Sequence, residues 1–353
     1  MYRPAGTFSE TYNDEVAVIQ QREHWLLIGL LLAFVIFGFG LAGNYLMGVI
    51  NLILISTISV IGLQILTGFT GQISVAHAAF MAVGAYTSAI LSTKGVPVML
   101  SIIVAAFATG CVGLLIGWPS VRIKGFYLLM TTFAAQVIII WAIKTPLGFI
   151  TRGSQGHSAP SPHFFGYMLN TERGWFLFLA LILCLVTILA INLKRTKGGR
   201  ALIAVRDNDL AAEVMGVNLR NYKLFAFFVC CFYAGLAGAL YAHWQNSAIL
   251  DVYDLMKSIW YLGYLVVGGV GSISGCFFGV IFFILVEEGL MIIFAYFGEI
   301  NPMFLATAAP FKSVVFGGII ALFLIYEPRG LSNRWEIIKA YYRSWPFPNV
   351  SGS

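Results

Sequence analysis

The chain has 353 residues, of which 59% are hydrophobic, 15% aromatic and only 10% charged, with a mean hydropathy of +0.86. Soluble domains carry about 25% charged residues, so this composition excludes a soluble globular protein and describes one built for lipid. The formal net charge of +6 calls for no nucleic-acid partner, because basic loops facing anionic lipid account for it.

Residues 1–24 are polar, of mixed charge and without a signal-peptide pattern, so the apolar run that begins at Trp25 is expected to remain as a span. Ten runs approach the ~20 residues that cross a bilayer: 25–43, 45–66, 72–92, 97–117, 125–143, 174–193, 222–244, 256–274, 276–297 and 312–327. The prediction is an all-α polytopic bundle of about ten spans (8–10). Residues 1–24 form an N-terminal segment, 25–331 the transmembrane domain and 332–353 a C-terminal tail. With the N-terminus inside, alternation places fifteen of the 21 lysines and arginines in the cytoplasm. Lys94, Lys144, Arg152, Arg173, Lys257 and Lys312 fall outside, so both termini are expected to be cytoplasmic. The five cysteines lie in or beside apolar runs and are odd in number, which indicates neither a disulfide framework nor a zinc site.

In the run around 72–92, small residues recur at four-residue spacing, Ser74, Ala78 and Ala82, then Ala85 and Ala89. Such a strip lets helix backbones approach closely, and it either packs helices or lines a pathway. Gln72, Ser74 and His77 are the polar candidates there, joined by Thr131 in the 125–143 run. His77 has no second histidine at metal-ligand spacing, so no metal is expected. The loop 144–173 contains "TRGSQG", with Thr151, Arg152, Gly153 and Gly156; it is either a connector or an external contact.

Between Lys194 and Lys223 lie ten of the chain's 36 charges, more than turning between two spans requires. On one helix Arg206, Asp209 and Glu213 share a face, with Ala201, Ala204, Val205, Ala211, Ala212 and Met215 opposite. The alternative is two helices separated at "DND"; in either case Gly216 ends the segment as a left-handed residue. Such a device docks into a cytoplasmic partner or lies on lipid headgroups.

"VVGGVGSISG" (266–275) lacks the Lys-Ser/Thr of a phosphate loop and joins two spans, so a tight re-entrant turn is expected. Glu287 and Glu288, about 100° apart on a helix, cannot face one ligand. They are expected at the outer mouth of a short span, with 289–311 partly an external helix.

"GRALIAVRDNDLAAEVMGVNLRNYKLFAFFVCCFYAGLAGALYA" closely resembles the cytoplasmic loop and following span of the LivM/LivH-type permeases of branched-chain amino-acid ABC importers. Ala211, Ala212 and Gly216 match the family's A-A-x-x-x-G pattern, although Leu210 stands where its older form has Glu. "TGFTGQISVAHAAFMAVGAYTSA", "RIKGFYLLMTTFA", "TRGSQG", "GGVGSIS" and "EPRGL" resemble further family motifs in the same order. The resemblance implies a non-catalytic permease of the bacterial inner membrane that binds no cofactor itself. Arg200, Arg206, Asp209, Ala211, Ala212, Glu213 and Gly216 would belong to a helix seated in one of two ATP-binding subunits, which hold ATP and Mg. A second permease subunit and an extracytoplasmic solute-binding protein complete the implied assembly, with branched-chain or related neutral amino acids as cargo. The competing reading is an ion-driven secondary transporter coupled through Glu287 or Glu288. A membrane enzyme is disfavoured, since no nucleophile or metal pattern is present.

Overall fold

A computed structural model describes residues 43–120, 123, 125–164, 167–168, 171–300 and 303–344. Residues 1–24, nearly all of the predicted first span, Arg122, Lys124 and 345–353 lie outside them. The helices are α1 (Asn44–Leu63), α2 (His77–Thr93), α3 (Val98–Ser120), α4 (Phe126–Lys144), α5 (Glu172–Arg195), α6 (Lys197–Asp207), α7 (Asp209–Val214), α8 (Leu219–Trp244), α9 (Leu255–Gly268), α10 (Ile273–Ile300), α11 (Met303–Tyr326) and α12 (Leu331–Ser344). Where polar loops meet apolar runs, side chains satisfy the orphan amides of the first turn. Thr171 accepts from Gly174 N at 3.2 Å for α5, Asn218 from Asn221 N at 3.2 Å for α8 and Asp254 from Lys257 N at 2.8 Å for α9.

Helix α8 sits at the centre, packed on α1, α2 and α3. Lipid offers no hydrophobic drive for helix association, so close backbone packing must supply it. The predicted small strip meets that need: Ser74, Ala78, Ala82, Ala85 and Ala89 are all buried. A Cβ on Gly84 would overlap the backbone of Gly235, and one on Gly238 would overlap the carbonyl of Met81. Overpacking costs about 1–3 kcal/mol, so Gly84→Val is expected to lower the yield of folded, monodisperse protein several-fold in size-exclusion profiles. A wild-type profile would contradict so close a crossing of α2 and α8.

Six described helices are long and apolar enough to cross a membrane: 44–68, 98–119, 126–144, 172–195, 219–244 and 273–298. The pair 310–326 and 331–341, bent by 45°, makes a seventh if it is one span. The chain is therefore an all-α, multi-pass membrane protein, but two of the ten predicted stretches are shorter than expected. The 72–92 stretch becomes helical only at His77, because residues 71–76 are not helical and Gly71 has φ +70°. The 256–274 stretch gives the 14-residue α9, about 21 Å at 1.5 Å per residue against a hydrocarbon core of about 30 Å. Gly269 (φ +119°) and Gly271 (φ +97°) then make the expected tight turn, though it leads into the 28-residue α10.

The paired acids lie in a longer helix than the short span expected, while 289–300 is helical as expected. Helix α10 does not end near Glu287 and Glu288 but continues to Ile300. Lys312, expected in an outer loop, lies within α11, forms an ion pair with Glu287 and stands 4.5 Å from the ring centroid of Trp260. Glu288 accepts a hydrogen bond from the Tyr45 hydroxyl of α1. The 100° divergence thus sends each acid to a different helix, where a partner lowers the cost of a partly buried charge. Removing one partner of such a pair costs about 3–5 kcal/mol, whereas replacing both can be neutral. Glu287→Gln is therefore expected to destabilise the protein in thermal unfolding, and Glu287→Leu with Lys312→Leu to restore stability and uptake together. A stable double variant without uptake would give the pair a role in transport.

Candidate functional site

The densest charge builds one end of the bundle, here called the basic end. Thr196 caps α6 by accepting from Gly199 N at 3.2 Å, and Asn208, in extended conformation, caps α7 by accepting from Ala211 N at 3.1 Å. The segment is thus two helices broken inside "DND", and Gly216 closes it at φ +86°. The break removes the face that Arg206, Asp209 and Glu213 would share on one helix. Arg206 is exposed but reaches back to the bundle, where its Nη1 donates to Gly68 O at 2.6 Å. Asp209 faces Lys223 of α8 at 3.8 Å, while Glu213 is exposed. Arg200 is also exposed, and its Nη1 lies 3.4 Å from Arg195 O.

The predicted apolar face divides as well. Val205 and Ala212 are buried, whereas Ala204 and Ala211 are exposed and Ala201 is half-buried; Leu202, outside that face, is buried too. Leu210, Val214 and Met215 are 68%, 88% and 84% exposed, so a cluster of large apolar side chains projects from the basic end. The sequence carried a signal for this cluster, since Leu210 and Val214 stand at i and i+4.

Beneath the projecting tip lies a junction of glycines. The last turn of α1 continues as a π-helix, Gln64–Gly68, and a cation on its terminal carbonyl is favoured by the helix dipole. Arg206 is that cation, and its aliphatic stem lies over Gly71. A Cβ on Gly271 would come within 2.8 Å of Arg206 Nη1, and Lys194 Nζ lies 3.4 Å from Gly271 O. On the other side of the turn, Gly269 packs against Ser332 and Arg329 O, with Gly330 (φ +73°) stacked on its backbone. The motifs "GGVGSIS" and "EPRGL" therefore meet each other beside Arg206.

The non-helical stretch before α2 exposes amides that lipid cannot satisfy. Other helices satisfy these and the orphan amides of the first turn of α2: Val75 N donates to Thr132 Oγ1 at 3.2 Å, Ala78 N to Ser258 Oγ at 2.8 Å and Ala79 N to Gln136 Oε1 at 3.0 Å. Gln136 Nε2 in turn donates to Tyr253 O at 3.0 Å. Of the predicted polar candidates, Ser74 accepts from Ala76 N at 3.4 Å, and His77 is fully buried with Nε2 2.7 Å from Ser59 Oγ. Thr131 does not join them, because its hydroxyl donates back to Tyr127 O at 2.6 Å. Its neighbour Thr132 makes the contact, and Thr132 with Gln136 at i and i+4 was the overlooked signal.

At the opposite end, Thr151 is buried and donates to Ile143 O at 2.8 Å. Gly153 and Gly156 adopt positive φ, and a Cβ on Gly156 would crowd Ala248 O, where the two-residue strands His157–Ser158 and Ser247–Ala248 pair. Arg152, itself left-handed at φ +62°, is exposed. Three of the four predicted loop residues thus shape the loop, and Arg152 presents a charge from it. Among the described residues no three His, Cys, Asp or Glu side chains gather at metal-binding distance.

Residues 45–324 match the family described as the permease component of branched-chain amino acid transport systems. The chain is 29% identical over 298 residues to the high-affinity branched-chain amino acid transport system permease protein LivM of Escherichia coli (strain K12), covering 77% of this chain and 66% of that protein. It is 27% identical over 248 residues to a probable branched-chain amino acid transport permease protein LivM of Methanocaldococcus jannaschii, covering 68% and 69%. It is 24% identical over 302 residues to the permease protein LivH of Salmonella typhimurium, covering 79% and 91%. The chain thus spans about two thirds of the length of the Escherichia coli and Salmonella LivM proteins. No solved structure matches.

Proposed function

This chain belongs to the family of branched-chain amino acid transport permease components, and on that premise we infer that it is a pore-forming subunit of an ATP-driven importer of branched-chain or related neutral amino acids. It hydrolyses nothing itself. Two ATP-binding subunits, holding ATP and Mg, seat on the basic end of a permease pair that this chain forms with a related second permease. An extracytoplasmic binding protein delivers the solute to the opposite end, where Arg152 is one of several exposed charges, with Lys94, Lys144 and Arg173 among them. The chain sits in the bacterial inner membrane with about ten spans and both termini in the cytoplasm.

The observation that carries this reading is the tip formed by Leu210, Val214 and Met215, three large apolar side chains exposed at the most charged part of the molecule. A contiguous exposed apolar patch rimmed by charge marks an interaction site. Glu213 and Arg200, both exposed, supply rim charges for orientation. Closure of the ATP-binding pair moves the seated tip, and Arg206 passes that motion to the end of α1. The result is a two-state switch of access whose energy comes from tighter ATP binding to the closed pair. The ion-driven alternative is weakened by the pairing of Glu287 with Lys312, which leaves that acid with a structural partner.

Purification of the tagged protein from its native membrane in mild detergent tests the assembly. Subunits with phosphate-loop motifs and a second permease are expected to accompany it. Recovery of the chain alone, active as an ion-coupled carrier in vesicles, would contradict the reading.

A further inference from the structure

An apolar slot of about 370 Å³ opens between α2, α3, α4 and the 147–151 turn, at the end of the bundle that carries Thr151. Aliphatic side chains such as Val83, Ile90, Val112, Ile139 and Ile143 line it. The volume is at the small end of ligand sites, about 300–1,000 Å³, and its walls carry no charge, so it suits a hydrocarbon chain. Its rim is charged with one sign. Residues 24–171, which supply every wall, contain no aspartate or glutamate. Three exposed cations stand within one helical turn of lining residues: Lys94 beyond Ile90, Lys144 next to Ile143 and Arg152 next to Thr151. A Cβ on Gly153 would lie 3.2 Å from Lys144 O, so the turn brings Arg152 back beside the end of α4. The segment 250–257, packed on α2, adds Asp251, Asp254 and Lys257; four cations against two carboxylates leave the rim positive.

Two further observations concern the turn itself. Arg152 is held at φ +62°, a left-handed conformation that glycine takes freely and a larger residue adopts only where its surroundings impose it. Between the two cations, Leu147, Phe149 and Ile150 are exposed, as is Trp141 one turn before Lys144. Exposed apolar and aromatic side chains flanked by cations are the make-up of a segment resting at a lipid–water interface.

We propose that the slot and its rim bind one anionic phospholipid, with an acyl chain in the slot and the phosphate among Lys94, Lys144 and Arg152. The arginine offers a fork that suits two phosphate oxygens, and the lysines act as point charges. Chain burial and headgroup attraction are each weak alone and lasting together. Walls of the slot come from three helices and the turn, so the lipid braces this end of the bundle. The site requires only that the chain spans a membrane; it does not depend on the importer reading.

The test is titration of dioleoylphosphatidylglycerol into the full chain purified in mild detergent, with bound lipids counted by native mass spectrometry. One such lipid is expected to bind about ten-fold or more tightly than dioleoylphosphatidylcholine, and glycerol phosphate, the headgroup without chains, should not displace it. Lys144→Gln with Arg152→Gly alters two exposed positions, and glycine suits the left-handed turn, so the size-exclusion profile should stay unchanged. That double variant is expected to lose the preference for the anionic lipid while still binding the zwitterionic one. Ala142→Leu, which narrows the slot, should weaken both lipids. Equal binding of the two lipids, displacement by glycerol phosphate, or an anionic-lipid affinity unmoved by the double variant would overturn the proposal. If the lipid stayed on the chain alone but was absent from the chain purified with a second permease, this face would be a subunit interface and the proposal would fall.

Discussion

Replacing Leu210, Val214 and Met215 together with aspartate is expected to leave the protein folded and in the membrane while abolishing its capture of ATP-binding subunits. All three side chains are exposed, so their loss removes no packing within the chain. A buried interface anchor costs about 2 kcal/mol or more when truncated, and 1.4 kcal/mol is a factor of about ten. Removing several anchors and burying new charges should weaken association at least ~100-fold, read as disappearance of ATPase from the purified complex and of uptake from cells. Ala212 gives the opposite control: it is buried against the bundle, and enlarging it to Leu should disturb folding as well as docking. If the triple variant instead kept its ATPase and lost affinity for anionic vesicles, the segment would be an interfacial helix.

Arg206→Met is expected to separate ATP hydrolysis from uptake. The tip is untouched, so the ATPase still docks, but the contact to Gly68 O at 2.6 Å is lost. A hydrogen bond from a charged donor is worth about 1.5–3 kcal/mol. Without it the α6–α7 pair is no longer fastened to the π-helical end of α1. Solute moved per ATP in proteoliposomes should fall about ten-fold or more, with hydrolysis close to normal. Arg206→Lys keeps the charge but not the fork and should recover only part of the coupling. An unchanged ratio in Arg206→Met would show that force reaches the spans by another route.

Hydropathy located most of the helices, because a lipid-facing helix must be apolar along its length and its ends must carry caps and charges. It could not show that 71–76 leaves the helix or that α9 is only 14 residues long, since both stretches lie inside longer, mostly apolar runs. Those breaks depend on positive φ at Gly71, Gly269 and Gly271 and on partners distant in sequence, such as Ser258 and Gln136 on the amides of α2. The partners of Glu287 and Glu288 were illegible for the same reason: nothing local announces that Lys312 and Tyr45 wait on other helices. In the charged segment, one-helix periodicity put Arg206 beside Glu213, but the cap made by Asn208 decided otherwise. The capping residue, legible in "DND", outweighed the periodic pattern.

The most direct test of an ATP-driven permease is uptake of radiolabelled leucine into proteoliposomes holding the purified complex and its binding protein, with ionophores present to collapse every ion gradient. The account predicts uptake that requires ATP in the compartment of the ATP-binding subunits and is indifferent to the ionophores. Uptake that proceeds without ATP and stops when the gradients collapse would contradict it.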